Sequence, residues 1–483
     1  MLSTFETALA AHRFGVGAAP GELDALGDDA PALLYAQTFD RTAALARWPG
    51  LFGSSFDAMR QLIVLRDNRG SQPGVNVLGH FRRDARRALP QAIEQRMWQA
   101  VESTTPFLER LVWFWSNHFA ISAAKRPVAP FAEAFEREAI RPHILGSFAD
   151  MLLAVERHPA MLIYLDNVFS TGPQSALARN GGGSGGLNEN LAREILELHT
   201  LGVDGGYGQN DVENLARIIT GWTIPMVRRH ADTPPDDAFY FSAEAHEPGA
   251  KLLLGRRYGE AGEQEGIDAL HDLAMEEATA RHLATKLARH FIADDPSPEM
   301  IARMASAYLE NDASLGALTR AMLADPRAWT PERVKLRQPA ELVAAAARAL
   351  ALQRSEQTIL SDGLATLDHR PLLASSPKGY DDRTAAWSGP EAVVLRIEWC
   401  GQAAARSSLS MAPQDFAAEV LGPLAGSRML DACAMAPGRQ AGFALALASP
   451  EFQWRSNDEH AQPHHDDATR LARRRAGLAP RRG

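Results

Sequence analysis

Cysteine is nearly absent from this chain of 483 residues: Cys400 and Cys433 are its two, and no Cys-x-x-Cys occurs. That excludes a disulfide framework and a thiolate zinc site, and it suits a reducing compartment. Long apolar runs are missing too. The best stretch, residues 340–352, is Ala-rich and broken by Glu341 and Arg348, so no membrane span is expected. The N-terminus has no basic segment ahead of an apolar one. Glu6, His12 and Arg13 intervene, so no export signal is read and a cytoplasmic location is expected. A basic excess is also lacking: Lys+Arg 50 against Asp+Glu 59 gives a formal charge of −9, which argues against a generic nucleic-acid or anionic-membrane binder. Several motifs are absent: His-Glu-x-x-His, the Gly-x-Ser-x-Gly elbow, zinc-ribbon spacing, the EF-hand, the P-loop and the dinucleotide fingerprint.

What is present is helical periodicity over most of the chain, at 46% hydrophobic and 23% charged content. The expected fold is mainly α: one large multi-helix globular domain over 1–455, a small β-hairpin insertion at about 226–262, and a disordered tail at 456–483. Proline marks several starts. A helix is expected from Pro90 to Val101 and another from Pro106 to about Ser122, apolar nearly all round and therefore buried. A third begins at Pro130, with Glu133, Arg137 and Arg141 as an exposed ladder. Asn210 and Glu213 read as a capping box. The hairpin is expected to pair residues 239–241 with 252–254 across Pro248-Gly249.

The densest polar cluster lies in residues 188–202, Asn-Glu-Asn-Leu-Ala-Arg-Glu-Ile-Leu-Glu-Leu-His-Thr-Leu-Gly. On a helix turning 100° per residue, Asn190, Glu194 and Glu197 share one stripe with Arg193 at its edge. Carboxylates one turn apart suit an acid/base pair or a divalent metal. Equally, Glu189, Arg193 and Glu197 at i, i+4, i+8 spell an ordinary ion-pair ladder. Residues 181–186, Gly-Gly-Gly-Ser-Gly-Gly, read as a flexible loop. His118, on an aromatic helix face, is expected to be buried with a polar partner, because an unpaired buried imidazole is costly. Asp166 follows a short apolar helix, where it serves as a cap or a site residue. His282, Lys286 and Arg289 form a basic stripe that faces solvent, an internal acidic stripe or an anionic substrate.

These residues resemble a large bacterial family known as domain of unknown function 1800. The resemblance runs from Arg13-Phe-Gly-Val-Gly17 to Ser449-Pro-Glu-Phe-Gln453, and its most specific stretch is 188–202, followed by Asp204-Gly-x-Tyr207 and Thr220-Gly-Trp222. Supporting matches are Trp113-Phe-Trp-Ser-Asn-His118, Arg141-Pro-His143, His158-Pro-Ala-Met161, Tyr164-Leu-Asp-Asn167, His246-x-Pro-Gly249 and Lys286-Leu287. The Ser376-Pro-Lys-Gly-Tyr380 loop carries Tyr where the family often has Trp. The resemblance implies a mostly helical fold and no particular activity. Many members carry an export signal, and many sit beside a sulfatase-like family, which implies a possible protein partner of that kind.

Two functions follow from the cluster. One is a hydrolase-type enzyme, metal-assisted or not, using Glu194 and Glu197 with His118 and Asp166. Asn190, Arg193, Arg217, His246 and Lys286 are its further candidates. The other is a non-catalytic binding or assembly protein in which the same residues form a buried ion network, with Arg217 and Lys286 pairing the two carboxylates.

Overall fold

The computed structural model describes residues 4–27, 29–68, 76–181, 186–228, 236–330, 335–355 and 357–455. The tail expected at 456–483 and the middle of the Gly-rich loop, 182–185, lie outside the described residues. The chain is 60% helical, as the periodicity requires. One hydrophobic cluster runs from Ala8 to Phe452, so the first and last helices share the same core. Among the described residues no helix is long and apolar enough to cross a membrane.

Local chemistry explains the helix ends. Pro106 occupies the first turn of the Pro106–His118 helix, where its missing N–H costs nothing. Phe107, Leu108, Leu111 and Val112 are completely buried, each contributing about 1.5–3 kcal/mol from burial. Pro90, by contrast, does not open a helix. It lies inside one that runs Val77–Val101, capped by the Asn76 side chain accepting from Gly79 N–H. Pro90 is exposed, so the one helical bond it removes lies on a side open to water. The cap expected at Asn210 and Glu213 sits earlier. Asp211 accepts from the Gly208 N–H and, through its other oxygen, from Leu254, tying the Gln209–Ile218 helix to a hairpin.

Strand pairing also differs from expectation. β1 (Trp222–Thr223) pairs antiparallel with β2 (Tyr240–Phe241), and β3 (Lys251–Leu253) with β4 (Arg256–Tyr258). The segments 239–241 and 252–254 are thus not partners. Leu254 and Gly255, with φ of 50° and 76°, make a two-residue left-handed turn that closes β3 onto β4.

Charge differs from expectation as well. Glu133, Arg137 and Arg141 are not an exposed ladder. Arg141 is completely buried, its guanidinium spanning Glu109 at 3.0 Å and Glu136 at 3.0 Å. Arg13, Arg110, Arg337 and Arg455 are buried as deeply. Glu341, in the Pro339–Ala349 helix, pairs with Arg110 at 2.8 Å and with Arg455. The helices are therefore joined by ion pairs as well as by apolar contact.

Candidate functional site

The 188–202 segment is two kinds of helix. An α-helical turn, Asn190–Glu194, is started by Asn188 Oδ1 accepting from the Asn190 N–H at 2.9 Å. It continues into a wider π-helical turn, Ile195–His199. Thr200 Oγ1 donates to the Ile195 carbonyl at 2.6 Å, and the Gly202 N–H reaches back to Leu196. Gly202 has φ 87°, and a Cβ there would lie 2.8 Å from His282 Nδ1, so glycine is required both for its conformation and for its size. Such a turn inserts one extra residue, and π turns recur at functional sites.

The extra residue changes which side chains point inward. Asn190 is exposed, while Glu194 and Glu197 are half-buried. His199, on the far side of an ideal helix, is completely buried and bonds Glu156 Oε1 at 2.8 Å through Nδ1. The expected ladder forms only in part. Arg193 pairs with Glu189 at 3.0 Å, and both bond Gln209. Glu197 instead lies near the Tyr207 hydroxyl, whose pKa is raised by burial and then by the Glu197 charge. Neither expected cation reaches the carboxylates. Arg217 bonds Glu213, one turn earlier on its own helix, at 3.1 Å. Lys286 lies against His118 and His282. Among the described residues no Lys or Arg forms an ion pair with Glu194 or Glu197. Burial raises the Glu194 carboxyl above its ordinary value; His199 and Arg193 oppose this, and the charges of Glu197 and Glu156 add to it. Tyr164 lies close enough to Glu194 for its hydroxyl to be raised by it, after burial.

Behind this face, His118 is buried and hydrogen-bonded, as expected. Its Nε2–H donates to the His199 carbonyl at 3.1 Å, and His282 Nε2–H donates to the Leu198 carbonyl at 3.1 Å. Both histidines thus satisfy carbonyls that the end of the signature helix leaves open. Burial, then Lys286, holds His118 well below its ordinary value and His282 at about 4, so both are neutral donors. His118 Nδ1, His199 Nε2 and Glu156 Oε2 have no protein partner.

The remaining candidates are elsewhere. Asp166, at φ 61°, pairs with Lys125 at 2.7 Å, and its carbonyl accepts from Asn188 Nδ2 at 3.2 Å. It borders the start of the signature helix, but its carboxylate is already paired. His246 belongs to a separate buried set. Its Nδ1–H donates to the Thr220 carbonyl at 2.9 Å, and Lys251 Nζ stands 3.3 Å from its Nε2 and 2.7 Å from Glu265. Among the described residues no three His, Cys, Asp or Glu side chains form a group able to hold a metal ion.

A second location was not flagged by the sequence. A partly enclosed cavity of about 50 Å³ lies beside the Pro106–His118 helix, lined by Arg96, Trp113, Glu136, Glu341, His369 and Tyr380 among others. The available signal was charge inside apolar stretches: Glu109 and Arg110 in one aromatic helix, Glu341 in an alanine-rich one.

A family model described as "Protein of unknown function (DUF1800)" matches residues 9–454. No curated protein and no solved structure matches.

Proposed function

The chain belongs to the DUF1800 family of proteins of unknown function, and within it we propose an enzyme of hydrolase type, with Glu194 as general acid and Glu197 as general base. The observation that supports this reading is the state of Glu194: half-buried, raised in pKa chiefly by burial, and in no ion pair with Lys or Arg among the described residues. A carboxyl raised by burial is shifted in the direction a general acid needs in order to protonate a leaving group. Glu197, one turn away and near the Tyr207 hydroxyl, is the companion that takes a proton from water. Asn190, exposed, and Arg193, half-buried, are on the same helix and orient a polar substrate. His118 and His282 act as positioning residues, because they hold the carbonyls that end this helix.

The test is a set of chromogenic carboxylic, glycosidic, phosphate and sulfate esters offered to the purified full-length protein. One class should turn over, with the rate falling as pH rises past the Glu194 pKa. Glu194→Gln should slow that turnover by about 10²–10⁴-fold with the helical circular dichroism unchanged. No turnover of any class, or an equally active Gln variant, would return the cluster to the assembly reading.

A further inference from the structure

The cavity beside the Pro106–His118 helix has spare hydrogen-bond donors and few spare acceptors. Trp113 is 7% exposed, and its Nε1–H has no partner. His369 is 8% exposed, with neither ring nitrogen bonded to protein: Nδ1 is fully enclosed, and the ring is fixed edge-on against Tyr380 at 4.4 Å. Arg96 commits only its Nε, to Glu136 at 2.6 Å, and lays its guanidinium over the Trp113 ring, leaving its terminal N–H groups unused. The lining acceptors are already taken. Glu136 accepts from Arg96, Ser116 and Arg141. Glu341 accepts from Arg110 and Arg455. Asn117 is consumed by the Tyr380 backbone on both sides of its amide.

Charge points the same way. Glu136 is matched by Arg96 and by Arg141, which it shares with Glu109, and Glu341 by Arg110 and Arg455. Lys335 stands against Asp294 and Asp382, and His290 bonds Asp382. Arg337 and Arg396 are buried nearby and bond only neutral groups. Buried cations therefore exceed buried anions around this space. The lining also includes the apolar side chains of Ile121, Phe135 and Leu372.

We propose that this cavity binds a short-chain carboxylate, its oxygens taken by Arg96, Trp113 and His369 and its alkyl tail laid against Ile121, Phe135 and Leu372. Its volume of about 50 Å³ exceeds the roughly 10–15 Å³ needed by one water and suits a ligand of acetate size. An inorganic oxyanion fits less well, because it would place oxygen on the apolar side chains as well as on the donors. This site does not depend on Glu194, so the hydrolase reading can fail with it intact.

The experiment is calorimetric titration of the full-length protein with sodium acetate, propionate and butyrate, with sodium chloride at matched ionic strength as reference and sulfate and inorganic phosphate as competitors. Saturable one-to-one carboxylate binding is expected. Trp113→Phe, which removes one donor and keeps the ring, should weaken it about tenfold. Ala374→Leu, which fills the space, should abolish it; should that variant not fold, Trp113→Phe decides alone. Three results would overturn the proposal: no saturable carboxylate binding, meaning the cavity holds water only; sulfate or phosphate bound in preference; or affinity unchanged in Trp113→Phe.

Discussion

Replacing Arg141 by Met is the sharpest test of how this fold is held. The guanidinium gives two hydrogen bonds to Glu109, at 3.1 and 3.0 Å, two to Glu136, at 3.2 and 3.0 Å, and one to the Ala44 carbonyl at 2.8 Å. Methionine fills much of the space but leaves both carboxylates without their shared cation. Glu109 keeps Gln99, and Glu136 keeps Arg96 and Ser116. Breaking a buried ion pair from one side costs about 3–5 kcal/mol. For a cooperative transition of 483 residues, an unfolding entropy of about 2.1 cal/mol/K per residue gives about 1 kcal/mol per degree, so a drop in Tm of about 3–5 °C is expected by calorimetry.

The pH dependence adds a second reading. Burial would raise Glu136, but Arg96 and Arg141 hold it below its ordinary 4.5. A depressed carboxylate stabilises the fold above its unfolded pKa, and that contribution is lost as pH falls through the folded value. Without Arg141 the depression shrinks, so the deficit should be largest above pH 4.5 and narrow below it. Combining Arg141→Met with Glu109→Gln should recover part of the loss, since it removes a stranded charge. A Tm within about 1 °C of wild type, or a deficit flat with pH, would refute the reasoning.

Other expectations follow from single groups. Glu341 is held at about 2 by Arg110 and Arg455 against burial, so its stabilisation is present above its ordinary 4.5 and fades as pH falls toward 2; Glu341→Gln should flatten the acid side of a urea-midpoint curve, and parallel curves would contradict this. Burial lowers Lys286 from 10.5 to about 8, so its charged form opposes folding. Lys286→Met should be at least as stable as wild type at neutral pH, with any advantage fading between pH 8 and 10.5; a variant less stable at neutral pH would give the lysine a structural partner. Gly266→Ala should lose about 1–3 kcal/mol or more by overpacking, because the new Cβ would meet Trp222 Cζ2 at 2.3 Å; an unchanged denaturation midpoint would show that the indole can yield.

How much the sequence revealed depended on whether a residue's role was local. Pro106 at a helix start and His118 on an apolar face are readable because their immediate neighbours decide the outcome. Pro90 misled, since a proline is tolerated inside a helix on a side facing water and pattern alone does not locate that side. The hairpin register was lost for the same reason: both Pro248-Gly249 and Leu254-Gly255 are turn signals, and only long-range pairing of Tyr240–Phe241 with Trp222–Thr223 selects between them.

The candidate site shows the limit most clearly. Ideal helical geometry places Asn190 beside Glu194 and Glu197 and turns His199 away. The π turn at Ile195–His199 buries His199 against Glu156, while Asn190, on the α-helical turn before it, is exposed. That turn is held by groups far along the chain. His118 and His282 donate to the two carbonyls at its end, and Gly202 makes room for the His282 ring. No window around residue 195 contains either histidine, so the shape of this helix is a tertiary property. The acidity of Glu194 inherits that dependence: the nearness of Glu156 requires the Phe148–Arg157 helix to be docked against the signature helix. An acid–base role for this face therefore requires the whole assembly, and loosening either histidine should lower the Glu194 pKa toward that of an exposed glutamate before it unfolds the protein.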